Sequence, residues 1–203
     1  MTADTEVPFD GSSEETGAFP GPGDTLFPAG SGATTSSPWS RAQAWHDYTT
    51  GYKEAADLLV AHVEGAGWRA EKLRFPILFL YRQHLELVVK SLIRVCCDAL
   101  ARGQDFPKHH DLPKLWAICT CLLHEMSPGA SPDEIRETTR LFQELSSVDP
   151  AADAFRFPEN KSGAISPAST VDVNLSSVRD IVEKLSFFLD CIDTSITAAR
   201  DAF

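Results

Sequence analysis

Apolar residues recur at helical spacing along five stretches of this chain. Trp45, Tyr48, Tyr52, Ala55, Ala56, Leu59 and Val63 follow one another at intervals of one, three or four. That stripe predicts an amphipathic helix, and Gly65-Ala66-Gly67 predicts its end. A second helix is expected to start near Pro76, whose missing N–H needs no partner in a first turn, and to run to about Arg102 ahead of Gly103. It is apolar nearly all round, the mark of a helix covered on most sides. Asp111 and Pro113 open a third helix through Leu115, Trp116, Ile118 and Leu122, broken at Ser127-Pro128-Gly129. Ser131-Pro132-Asp133-Glu134 reads as a capping box with Pro at the first helical position, so a fourth helix spans about 132–147 and Asp149-Pro150 closes it. Leu175, Val178, Ile181, Val182, Leu185, Phe188, Leu189, Ile192 and Ile196 make a long last helix.

Residues 150–174 carry no helical period. Phe155-Arg156-Phe157-Pro158 alternates as an extended segment does, Asn160-Lys161-Ser162-Gly163 has turn chemistry, and Ile165 to Val173 is rich in Thr, Val and Pro. The expected fold is therefore all-α: an antiparallel bundle of about five helices, with an irregular loop or small hairpin before the last.

Composition divides the chain in two. Residues 1–38 hold six acids, no Lys or Arg, and mostly Gly, Pro, Ser and Thr besides, a composition that predicts a disordered acidic tail. Phe9, Phe19, Leu26 and Phe27 within it are either a short docking motif or scattered apolar residues of a linker. The tail accounts for six of the eleven net negative charges, so the domain at 39–203 is only mildly acidic. That balance argues against coating nucleic acid through general electrostatics, though not against a local basic site.

The longest apolar run, Ile77 to Tyr81, is far too short to cross a bilayer, and the N-terminus has no basic residue before an apolar stretch. No membrane segment or secretory signal is expected. Five cysteines, an odd number, do not form a paired framework, and a reducing cytoplasm is the expected compartment.

The candidate chemistry begins in the second helix. Arg82, Glu86 and Lys90 stand at i, i+4 and i+8, each about 40° round the axis from the last, and so form one narrow charged stripe on an apolar helix. The stripe is either a solvent-facing row of ion pairs, or it lines a cleft or a subunit interface. Asp111 is an N-cap by type and position. His110 before it would be a titrating group beside Arg82 and Glu86 if its ring turned back toward them. Cys119, Cys121 and His124 invite a zinc site. Cys119 and Cys121 lie about 200° apart on a helix, however, so no metal is expected, and all five cysteines are read as small buried apolar residues. Neither a glycine-rich nucleotide loop nor a Gly-x-Ser-x-Gly nucleophile setting is present.

Tyr81-Arg82-Gln83-His84-Leu85-Glu86-Leu87-Val88-Val89-Lys90-Ser91-Leu92-Ile93, a short loop, and then His110-Asp111-Leu112-Pro113-Lys114-Leu115-Trp116 together resemble the HEPN superfamily (higher eukaryotes and prokaryotes nucleotide-binding). Its members typically pair a Glu and a Lys four apart in an apolar helix with a His-Asp-Leu turn into the next helix. Phe155-Arg156-Phe157-Pro158 resembles a loop in an uncharacterised bacterial branch of HEPN-like proteins. The resemblance spans roughly residues 45–200. It implies a helical bundle that commonly dimerises, and in many members a metal-independent ribonuclease whose Arg and His lie four to six residues apart near the start of a late helix.

This sequence departs from that last feature, since no histidine follows His124. Arg41 to His46 opens the first helix, and Arg102 to His109 crosses a loop, so neither has the family's context. The expectation is a HEPN-like binding protein without the ribonuclease motif, needing no cofactor. It would act as a homodimer with an RNA, nucleotide or protein partner, and family analogy alone suggests a defence or toxin–antitoxin setting. Arg82, Glu86, Lys90, His110, Asp111 and Arg156 are its candidate binding or interface residues. The alternatives are a ribonuclease with a divergent site at Arg82, Glu86, His110 and Arg156, and a dimeric scaffold with the charged stripe buried across its own interface.

Overall fold

The structure, a computed structural model, describes residues 25–27, 40–66, 72–103, 107–126, 131–160 and 162–201. The chain divides into Met1–Ser37 and Pro38–Phe203. The expectation of disorder over residues 1–38 falls almost wholly outside the described residues, as does the break at 127–129. Among the described residues five α-helices form an all-α bundle: α1 Arg41–Ala66, α2 Arg74–Ala99, α3 Leu112–Met126, α4 Pro132–Val148 and α5 Leu175–Asp201.

α2 is the hub. It packs on α1, α3 and α5, while α4 packs on α3 and α1 on α5. Ile77, Tyr81, Leu85, Val89, Leu92 and Ile93 of α2 are all buried, which is the structural meaning of its all-round apolar sequence. Trp116 of α3 meets Phe142 of α4 edge to face at 5.5 Å, and its indole N–H donates to Thr139 Oγ1.

Paired residues fix the helix directions. Asp57 with Tyr81 and Thr49 with His84 make α1 and α2 antiparallel. α2 and α3 depart from the antiparallel pattern expected between consecutive helices. Their partners climb together, Glu86 with His110, Cys96 with Cys119 and Arg102 with Glu125, so the two run the same way. The link over residues 100–111 is long enough to return the chain along α2, since an extended chain covers more than twice the rise of a helix per residue.

Helix ends follow local chemistry. α4 carries the expected capping box, Ser131 Oγ accepting from the Asp133 N–H and Glu134 reaching back to the Ser131 N–H. α2 begins two residues before Pro76 and stops at Ala99. Gly103 plays no part in that stop. Ala101 takes the left-handed conformation (φ 54°), with Arg102 N–H donating to Cys97 O at 2.8 Å and Ala101 N–H to Asp98 O at 3.1 Å. This is a Schellman cap built on alanine.

Residues 155–157 are not extended, as their alternation predicted. The N–H groups of Arg156 and Phe157 both donate to Asp153 O, making a tight turn that buries Phe155 and exposes Phe157. Beyond it a minimal hairpin closes with one antiparallel bridge, Glu159 to Ile165, organised by Asn160 Oδ1 accepting from the N–H groups of Ser162 and Ala164. A 3-10 turn at Pro167–Ser169 then leads toward α5.

Candidate functional site

The charged stripe of α2 is buried inside the chain. Arg82, Glu86 and Lys90 are all inaccessible, and Glu86, 1% exposed, is the most enclosed charge. Both expectations for it are thereby corrected, the solvent-facing row and the lining of an open cleft. A dimer interface is not needed to cover it either. The N-terminal approach to α3 and the C-terminal end of α4 lie over it instead, and they supply the remaining partners.

Glu86 Oε2 accepts from Arg82 Nη1 at 2.7 Å, and Oε1 accepts from Lys90 Nζ and from His110 Nδ1, each at 2.8 Å. Arg82 Nη2 donates to the His110 carbonyl, and Arg82 Nε lies 2.7 Å from Asp149 Oδ2. Asp149, itself buried, accepts the Ala154 N–H at its other oxygen at 2.8 Å. Two cations thus face two carboxylates, and every nitrogen of the Arg82 guanidinium is engaged. Pairing and hydrogen bonding of this kind is what allows ionised groups to leave water. Burial pushes the Glu86 carboxyl up, but hydrogen bonds from Lys90, Arg82 and His110 outweigh it and hold the group below its ordinary range.

Each element contributes for a local reason. Helical periodicity aligns Arg82, Glu86 and Lys90. Asp111 caps α3 as expected, Oδ1 accepting the Lys114 N–H at 3.1 Å. A hydrogen bond and ion pair from Lys114 hold its carboxyl below the usual range. That cap orients the turn so that the preceding His110 faces Glu86. His110 remains 63% exposed, and its Nε2 makes no hydrogen bond to the described residues. The depression bounded by Arg82, His110, Leu112, Leu145 and Asp149 has no space for a water molecule.

Arg156 makes no hydrogen bond or ion pair to this group: its Nε donates to the Ala152 carbonyl and its guanidinium rests over the Phe157 ring at 5.6 Å. The cysteine expectation also needs correction. Cys96, Cys97 and Cys119 are buried, whereas Cys121 and Cys191 are exposed because they occupy outer faces of α3 and α5. Among the described residues no three His, Cys, Asp or Glu side chains converge as metal ligands, and no helix is long and apolar enough to cross a membrane.

Sequence reasoning missed Asp149, read only as a helix stop. A signal existed: an acid at a helix C-terminus opposes the helix dipole and needs a cation to stay there. It also missed a second polar cluster, where α1, α2 and α5 meet. His84, 4% exposed, has Nδ1 2.8 Å from the Thr49 carbonyl and Nε2 2.7 Å from Ser186 Oγ. A carbonyl only accepts, so in the neutral ring Nδ1 carries the proton; Nε2 faces the Ser186 hydroxyl, which also lies 2.8 Å from the Val182 carbonyl, so the one hydroxyl proton is shared between two acceptors. Burial holds the His84 pKa below its ordinary value. Nearby, Tyr81 Oη donates to Asp57 at 2.6 Å, and Lys53 bridges Asp57 and Glu183. No family model, curated protein or solved structure matches this chain.

Proposed function

We propose that this chain is a HEPN-like helical protein that acts by binding and does not cut RNA. Its resemblance to that superfamily rests on two separate stretches, the Glu-Lys pair of α2 and the His-Asp-Leu turn before α3. In the fold these stretches touch, through His110 and Glu86. The observation that carries the binding reading is that every nitrogen of the Arg82 guanidinium is engaged by a partner within the chain. A ribonuclease needs a cation free to meet the scissile phosphate, and here Glu86, Asp149 and the His110 carbonyl occupy the guanidinium. The charged stripe holds α2, α3 and α4 together, leaving recognition to other surfaces. On this reading the protein is cytoplasmic, needs no cofactor, and works as a homodimer toward an RNA, nucleotide or protein.

One observation favours the ribonuclease alternative. His110 presents an exposed imidazole with Nδ1 bound to a buried carboxylate, an arrangement that suits general acid–base work. The two readings separate in one experiment. Purified full-length protein is incubated with structured and single-stranded RNAs in chelator, beside a His110→Ala variant. The binding reading expects no cleavage by either. Cleavage by the parent that His110→Ala abolishes would overturn it.

A further inference from the structure

A pocket of about 350 Å3 opens over α2 between α4 and α5. Leu78 and Leu85 form its floor, and Leu145 and Ile181 stand on opposite walls. The gap exists because α4 packs chiefly on α3 while α5 packs on α2 and α1. The turn after α4 then sets Phe155 into one end, held there by the Ala154 N–H bond to Asp149. None of the Glu86 cluster lines it.

The lining is apolar and its charge is one-sided. It contains no Lys, Arg or His, and its two ionisable groups, Glu144 and Asp172, are both acids. Glu144 is paired with Arg140 at 3.1 Å, whereas the exposed Asp172 has no ion pair among the described residues. At the same rim Asn174 Oδ1 is occupied as the cap of α5, accepting from the Ser177 N–H at 3.0 Å. An apolar pocket with a few polar groups at its mouth is the usual form of a small-ligand site. Here the one acidic side chain of the lining without an ion pair among the described residues is the Asp172 carboxylate, which favours a cationic head over an anionic one.

We propose that the pocket takes a small amphiphile with an apolar body of roughly ten to fourteen carbons, the upper figure scaled from the benzene that a cavity of about 150 Å3 holds, and an ammonium head beside Asp172. The assignment goes beyond the binding reading and does not depend on the HEPN resemblance. The apolar body removes water from the aliphatic lining, and the head stays at the wet rim where its charge is paired.

Calorimetric titration of the full-length protein with decylammonium, decanol and decanoate, each below its aggregation limit, tests this. Decylammonium should bind about fivefold tighter than decanol, the increment of an exposed ion pair, with decanoate weakest. Asp172→Asn should bring decylammonium to the level of decanol and leave decanol unchanged. Ile181→Trp, or Ser177→Trp should the first variant fail to fold, should abolish binding of all three. Absence of binding by folded protein, preference for decanoate, or indifference of decylammonium to Asp172→Asn would each overturn the proposal. So would a dimer that Ile181→Trp converts to monomers, since a second copy would then be the occupant.

Discussion

His110 Nδ1 lies 2.8 Å from Glu86 Oε1, joining an imidazole that is 63% exposed to a carboxylate that is 1% exposed. The bond ties the turn before α3 to the middle of α2. Glu86 therefore holds three groups at once, and the loss of its charge should be felt through all of them.

Replacing Glu86 by Gln leaves Arg82 and Lys90 buried without their common anion. Breaking one member of a buried ionic group in this way typically costs about 3–5 kcal/mol. Urea unfolding of Glu86→Gln should show a loss of that order. A change of a few tenths would mean that the stripe behaves as solvated surface.

The pH dependence of the same group has a definite sign. Because hydrogen bonds hold the folded Glu86 carboxyl below its ordinary value of 4.5, its contribution is complete above that pH and is lost as pH falls through the lower folded value. Melting temperature of the parent should drop through this window. Glu86→Gln, already less stable, should show a shallower dependence there.

His84 acts in a higher window. Burial lowers its folded pKa beneath the ordinary 6.5, so the unfolded chain binds a proton first. Stability from this residue is complete above pH 6.5 and declines as pH falls below it, by at most about 1.4 kcal/mol per unit. His84→Gln should flatten the slope between pH 7 and the onset of Glu86 titration. Equal slopes in both proteins would show that His84 does not report on folding.

Asp149 connects the charged cluster to the irregular segment through Ala154. Asp149→Ala should cost about 3 kcal/mol, because the buried Arg82 guanidinium keeps Glu86 but loses the carboxylate at its Nε, and the Ala154 N–H is left unsatisfied. Hydrogen exchange should accelerate first at Ala154 and the residues after it, while α1 and α5 keep their protection.

Ala101 gives a prediction of opposite sign. Its left-handed conformation closes α2, and Gly adopts that conformation without the Cβ clash. Ala101→Gly should stabilise the fold by about 1 kcal/mol, less the greater freedom of Gly in the unfolded chain. A lower melting temperature would show that the unfolded-state entropy dominates.

Local geometry was legible in the sequence because it is set by residues a few positions apart. Five apolar stripes announced five helices, Ser131 and Glu134 announced a capping box, and Asp111 announced the cap of α3. The i, i+4, i+8 spacing likewise placed Arg82, Glu86 and Lys90 on one line of α2. Which side of that line meets water was not legible, because burial depends on the elements laid across it. Asp149 arrives from α4, and His110 turns in only because α3 runs parallel to α2. His84 and Ser186 meet across a sequence separation of 102, and nothing near either residue signals the other. Periodicity encodes the faces of a helix, whereas the pairing of faces is chosen by packing the whole chain, where many distant contacts compete for the same apolar surface.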